Sequence, residues 1–323
     1  MNILAVDDDA HIREIIPMIT KKVGFPDVTA VGSGDVALEM LKKADGAYEC
    51  LLLDINMPGM DGIELCRLVR KLPAYSKTPI IMLTAMTDKD YLDRAFKAGA
   101  TDYITKPFDI VELGARLRIV KELVNARKAA ASDDDSMPAK IVAGRSGIAL
   151  EEPIALSGPH NLVDYMALGN YLTQLSRAGA TSSQVIAIKI DQIEVIHARA
   201  TEAEFTYALS ETAEAIGEVL KPQNNLMAYA GNGVFIVVSS YATLEQSRDM
   251  ESSIQSLLDE RDTEYDNGDP LDIEVSIGNP IRPNTGKTQG VRKTFDRALA
   301  RAENRVQRKL SEPRPISIRI VGS

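Results

Sequence analysis

Three consecutive aspartates, Asp7, Asp8 and Asp9, follow a short apolar run at residues 3–6. Asp54 closes a second such run at 50–53, Thr84 follows a third at 79–83, and Lys106 follows a fourth at 102–105. Carboxylates crowded together repel one another, and the usual remedy is a hard cation with oxygen ligands; a small open site suits Mg²⁺. A hydroxyl and an ammonium group beside such an ion suit a phosphoryl group, because all three stabilise charge on its oxygens. Asp54 is then the nucleophile that becomes an aspartyl phosphate. Singly, each residue has a plainer reading: an Asp run caps a helix, Thr84 caps another, and Lys106 is a surface charge. Asp9 keeps the capping role.

The elements that would gather these residues are legible as strands at 3–6, 28–31, 50–53, 79–83 and 102–105. They alternate with amphipathic helical patterns at 10–22, 33–43, 62–71, 88–98 and 109–125. Runs such as CLLLD and PIIML are apolar throughout, as strands buried on both faces are. Five βα units predict a doubly wound, five-stranded parallel sheet, whose ligands bind at the carboxyl ends of the strands. In the order 2-1-3-4-5 the first and third strands are neighbours, so Asp7 or Asp8 meets Asp54 across one crevice.

The chain has 323 residues, which predicts two domains. Apolar residues make up 45% and charged residues 26%, a globular composition that excludes a disordered or fibrous chain. The net charge of −9 argues against general nucleic-acid binding. No apolar run is long enough to span a membrane, and the acidic start is unlike a signal peptide, so a cytoplasmic protein with no membrane or DNA partner is expected. Cys50 and Cys66 read as reduced, packed thiols. Residues 1–125 form the first domain, and the Ala-, Ser-, Asp- and Gly-rich stretch 126–160 reads as a linker. In 161–323 the pattern is helix 162–177, strand 185–190, helix 201–220, strands 225–229 and 233–239, helix 243–260, strand 272–278, helix 288–310 and strand 316–321. That order predicts a mixed-sheet α/β domain, with a hairpin turning at Ala230-Gly231-Asn232.

VDDD at 6–9, LLLDINMPGMDG at 51–62, IIMLTA at 80–85 and DYITKPF at 102–108 resemble the receiver domain of two-component response regulators. The resemblance implies a flavodoxin-like fold and a phosphoryl group donated to Asp54 by a histidine kinase or phosphotransfer protein. It implies that Asp8, Asp54 and the backbone carbonyl of Asn56 ligate Mg²⁺, with Asp7 acting mainly through water. Thr84 would contact the phosphoryl oxygens and Lys106 would pair with one of them. Tyr103 matches the aromatic that moves inward when the Thr follows the phosphoryl group, and Lys106-Pro107 matches the family's cis peptide. Homodimerisation on phosphorylation is expected, through the surface of the fourth helix, fifth strand and fifth helix.

AYAGNGVFIVV at 228–238, DIEVSIG at 272–278, FDRALARAENR at 295–305 and the pair Leu168 and Asn170 resemble the GGDEF domain of diguanylate cyclases. The family's acidic signature positions hold Gly233 and Val234 here. Its second metal carboxylate aligns with Lys189, its guanine-contacting Asn falls near His197, and its product-binding RxxD falls near Pro222 to Asn225. A degenerate domain without cyclase activity is therefore expected, and the chain is read as no enzyme. Its use would be as a protein-interaction or dimerisation module for an unknown downstream protein, or else as a GTP or cyclic-di-GMP sensor; an active cyclase ranks last. Asp191 is expected to face solvent or cap a turn, and His197 to be a surface or packed histidine. Lys293, Arg297, Arg301, Arg305 and Lys309 follow one another at i, i+4 and read as a solvated basic stripe within a stretch, 287–319, of ten basic and three acidic residues.

Overall fold

The computed structural model describes residues 1–44, 46–85, 89–134, 147–154, 156–177, 183–220, 225–239, 247–283 and 289–311. They fall in two compact units, one of Met1–Ala143 with His160–Ala180 and one of Gly144–Pro159 with Thr181–Ser323. No helix among the described residues is long and apolar enough to cross a membrane.

In the first unit, β1 (Ile3–Val6), β2 (Val28–Val31), β3 (Cys50–Asp54), β4 (Ile80–Thr84) and β5 (Asp102–Thr105) form a five-stranded parallel sheet in the order β2-β1-β3-β4-β5. Helices α1 (Ala10–Lys22), α2 (Gly34–Ala44), α3 (Gly62–Arg70), α4 (Lys89–Lys97) and α5 (Ile110–Asp134) connect and follow the strands. This is the doubly wound fold expected from the sequence. Every residue of β1, β3 and β4 is buried, which is why these strands are apolar on both faces. Alternate residues divide between the faces: Ile3, Ala5, Cys50, Leu52, Ile81 and Leu83 join one cluster with Ile16 of α1 and with Leu113 and Leu117 of α5. Asp9 caps α1, accepting the His11 amide, and Asp61 caps α3, accepting the Glu64 amide.

Burial acts on both cysteines as well. It pushes the Cys50 thiol up to about 12 and the Cys66 thiol up to about 11, and the Cys66 Sγ lies 3.2 Å from the Ala98 carbonyl oxygen. Almost no thiolate exists at pH 8. Iodoacetamide at that pH should leave the native protein unlabelled and add two groups after urea denaturation; rapid native labelling would mean that β3 or α3 opens readily.

The structure departs from the sequence reading at several elements: a helix over Ile193–Arg199 was not anticipated, and the strand read at 272–278 narrows to Val275–Ile277. Helix α5 continues to Asp134, into the stretch expected to be a linker, because 126–134 holds four alanines and no Gly or Pro to stop it. Helix α6 (Tyr165–Arg177), read from the sequence as the start of the second domain, groups with the first unit. Its start is held by the Asp164 carboxylate, which accepts the Met166 amide at 2.9 Å.

The second unit contains β6 (Gln184–Ile190), α7 (Ile193–Arg199), α8 (Glu202–Leu220), β7 (Asn225–Tyr229), β8 (Val234–Ser239), α9 (Ser247–Arg261), β9 (Val275–Ile277) and α10 (Gln289–Ser311). Its sheet has the order β7-β8-β6-β9, and all three pairings are antiparallel. Strand β8 returns from the hairpin into the slot between β7 and β6 and runs antiparallel to both, so among the described residues the sheet is antiparallel where a mixed one was expected. The strand expected at 316–321 and most of the segment 222–225 lie outside the described residues.

Candidate functional site

Strand register builds the site of the first unit. Val6 pairs with Leu53, Asp54 with Leu83, and Thr84 with Thr105. The next residues along, Asp7 and Lys106, therefore arrive on the same rim as Asp54 and Thr84, although 99 positions separate the two ends of that set. Candidate ligand oxygens of Asp7, Asp8 and Asp54 all lie within 4.8 Å of one another. Asp7 and Thr84 are fully buried, Asp54 is nearly so, and Asp8 is exposed toward the mouth. The Lys106 ammonium stands 2.6 Å from Asp7 Oδ2 and 2.9 Å from Asp54 Oδ1.

The electrostatics follow from that crowding. Burial raises the Asp54 pKa, Lys106 opposes the rise, and the like charges of Asp7 and Asp8 add to it. Burial also pulls the Lys106 ammonium down, but the hydrogen bonds it donates to Asp7 and Asp54, with their negative charges, outweigh it, and its pKa ends above the ordinary lysine value. One cation thus faces three carboxylates, which leaves the pocket with an excess of negative charge and a donor set made of hard oxygens, a set that fits Mg²⁺.

Asn56 lies two residues beyond Asp54, exposed in the loop after β3, and Tyr103 is buried on β5 opposite Met82. The Lys106-Pro107 peptide is cis. Sequence reasoning missed two residues. Arg13 donates from Nη1 to the carbonyls of Asp7 and Asp8, each at 2.8 Å, and so holds the loop that carries both carboxylates. Gly62 backs the phosphoacceptor position: a β-carbon there would lie 2.1 Å from the Asp54 carbonyl oxygen. Neither has a sequence signal beyond the charge of Arg13 and the place of Gly62 just after an Asp.

In the second unit the hairpin β7–β8 turns through Gly231, Asn232 and Gly233, all three with positive φ. The upstream segment lies across this turn, for the Asn232 amide donates to the Leu150 carbonyl at 2.6 Å. A β-carbon on Gly231 would lie 2.2 Å from the Glu151 carbonyl oxygen, so only glycine allows the approach. His197 Nε2 is 2.8 Å from the Ile148 carbonyl oxygen and its ring meets Phe205 edge-on at 4.9 Å, a packed histidine. Lys189 of β6 stands opposite Val234.

Asp191 does not face solvent, because the loop after β6 turns it under α10. Its Oδ2 accepts from Ser276 at 3.0 Å and from Lys309 at 3.2 Å, its Oδ1 is buried without a hydrogen-bond partner among the described residues, and burial raises its pKa against the pull of Lys309. The basic stripe is accordingly not a solvated row. Arg305 pairs with Glu251 at 2.7 Å, Arg301 donates to the carbonyls of Asn279 and Pro280, and Lys309 holds Asp191; Lys293 and Arg297 are exposed. The row winds round the helix, and its C-terminal members come to face the sheet.

A flavodoxin-like α/β unit with an acidic rim, followed by a chain segment built on an antiparallel sheet, is the class of protein these observations define. The response regulator receiver domain family matches residues 3–118, and the diguanylate cyclase GGDEF domain family matches 166–309. The chain belongs to the response regulators and carries a receiver domain and a GGDEF domain together. It is 37% identical over 125 residues to the chemotaxis protein CheY of Pseudomonas aeruginosa, covering 39% of this chain and 99% of that one. It is 42% identical over 116 residues to the DNA-binding response regulator MtrA of Mycolicibacterium paratuberculosis, covering 36% of this chain and 49% of that one. The chain thus spans about half the length of relatives such as MtrA and nearly all of the shorter CheY. Among solved structures, chemotaxis protein CheY4 of Vibrio cholerae matches at 34% identity with a TM-score of 0.35, covering 37% of this chain and 97% of that one.

The GGDEF match corrects one expectation. Lys189, Gly233 and Val234 led to the chain being read as no enzyme, yet a diguanylate cyclase domain family matches the segment that contains all three. The presence of that domain points to an enzyme, and the exclusion of catalysis drawn from three side chains does not stand.

Proposed function

We propose that this protein is a phosphorylation-dependent response regulator of two-component signalling, in which Asp54 accepts a phosphoryl group and thereby controls the GGDEF domain. The observation that carries the reading is the convergence of Asp7, Asp8 and Asp54 within 4.8 Å, with Lys106 bridging two of them. The donor is a histidine kinase or a histidine phosphotransfer protein. Asp8, Asp54 and the carbonyl of Asn56 would hold Mg²⁺, with Asp7 acting through water; the ion supplies charge neutralisation on the phosphoryl oxygens.

The chain's own residues account for the rest. An Asp54 carboxylate oxygen forms the new P–O bond as the donor's P–N bond breaks, and the imidazole nitrogen takes the leaving electron pair. Lys106 balances the charge gathered on the transferred group, and the Thr84 hydroxyl, buried on the neighbouring strand, contacts its oxygens. Movement of Thr84 toward the phosphoryl group leaves space into which Tyr103 repacks, and this couples the pocket to the β5 surface. The GGDEF domain then serves as the output, with a protein-interaction or dimerisation role beside the cyclase chemistry to which its family match points. The donor chemistry and the free, buried thiols support a cytoplasmic location.

Incubation with acetyl phosphate and Mg²⁺ should add one phosphoryl group, and peptide mass spectrometry should place it on Asp54. An adduct on another residue, or none while EDTA makes no difference, would overturn the assignment.

A further inference from the structure

We propose that α6 is a docked relay helix. In the unphosphorylated protein it occupies the β5–α4 face of the receiver, and phosphorylation releases it; this half of the inference rests on the function proposed above.

The face is built to hold a helix. Strand β5 is the outer strand of its sheet, and its exposed side and the adjoining surface of α4 would otherwise meet water. Five contacts fasten α6 there. Asn170 Nδ2 donates to the Thr101 carbonyl at 2.9 Å, and Gln174 Nε2 donates to the carbonyl of Tyr103 at 3.1 Å. The Gln174 side chain also hydrogen-bonds the Asp102 carboxylate. The Tyr171 hydroxyl donates to Asp93 Oδ1 of α4 at 2.5 Å, while the Tyr171 ring meets Phe96 edge-on at 5.4 Å. Tyr171 is wholly buried, and Gln174 and Asp93 are nearly so. Such burial of polar groups is stable only while each bond is made.

Placement turns this dock into a relay. Gln174 reads the backbone of Tyr103 itself, and Asn170 reads Thr101 two residues earlier, so repacking of Tyr103 acts on the bonds that hold α6. Asp93 and Phe96 lie on α4, the helix that follows Thr84. At its other end, α6 is joined by six residues, 178–183, to β6, an inner strand of the second sheet. Helix α6 also opens the segment that the GGDEF family matches, although its contacts are made with the receiver. While docked, α6 fills the face through which homodimerisation is expected; a second copy can use that face only after release.

The test is hydrogen exchange of the full chain, with and without acetyl phosphate and Mg²⁺, with intact mass recording phosphoryl uptake on the same samples. Amides of 165–177 should be protected in the unmodified protein and exchange about tenfold faster or more once Asp54 is modified. Tyr171→Phe keeps the ring contact but removes the bond to Asp93, and should give the same acceleration without phosphate while taking up phosphoryl normally. Gln174→Ala, a second variant, should do likewise. Full uptake with unchanged protection of 165–177, or unaltered exchange in both variants, overturns the relay and leaves the phosphoacceptor assignment standing. Failure to take up phosphoryl with 165–177 already accelerated in both variants refutes the phosphate-driven step together with that assignment.

Discussion

Gly62→Ala should destabilise the first unit by about 3 kcal/mol, a value at the upper end for forced overpacking. The added carbon would sit 2.1 Å from the carbonyl oxygen and 2.8 Å from the carbonyl carbon of Asp54, and 3.1 Å from the α-carbon of Ile55. All three are backbone atoms of β3 or its first loop residue, so no side-chain rotation relieves the clash. Either α3 moves out or the end of β3 bends, and the second outcome carries the Asp54 carboxylate away from Lys106. Urea titration followed by circular dichroism suits the measurement, since the chain has no tryptophan. Phosphoryl uptake should slow along with the loss of stability. A change below about 1 kcal/mol with normal uptake would mean that the close packing of Gly62 on Asp54 is not what positions the acceptor.

Lys106→Met should be the second large effect, with a dependence on cations that identifies its cause. Methionine replaces most of the side-chain volume but removes the ammonium that lies between Asp7 and Asp54. Removing one partner of a buried ion pair costs about 3–5 kcal/mol, and the partial exposure of Lys106 brings the expectation down to about 2 kcal/mol. In EDTA the variant should unfold at clearly lower urea than the parent. Millimolar Mg²⁺ should recover more stability in the variant than in the parent, because binding to the folded state alone adds RT ln(1 + [L]/Kd) and the uncompensated carboxylates bind the ion more tightly. Equal recovery in both proteins would show that Lys106 and the cation do not answer the same excess charge.

Much of the first unit was legible because its local and global signals agree. Strands buried on both faces have no polar alternation, so CLLLD and PIIML announce central parallel strands, and the βα rhythm then orders them. The carboxylates were found by their place at strand ends. The fate of Asp191 was less legible: an Asp after a strand commonly turns outward, and only the pairing of β9 and the packing of α10 supplied Ser276 and Lys309 as partners. The same packing explains why a row of basic residues at i, i+4 is half consumed inside the unit, since sequence spacing gives a face of the helix and not what that face meets. Arg13 and Gly62 act on main-chain atoms, which leave no mark on residue type at the positions they touch.

By itself the sequence determined the five βα units of the receiver, the identity of the residues on its acidic rim, and a hairpin turning about Gly231 and Asn232, because each follows from residue chemistry and short-range periodicity. Tertiary structure alone decided which unit receives α6, that Lys106 closes onto both Asp7 and Asp54, and that the segment before the second sheet lies over the hairpin turn. Those are contacts between residues tens of positions apart, and amphipathic pattern specifies that a helix has an apolar face without specifying which surface buries it.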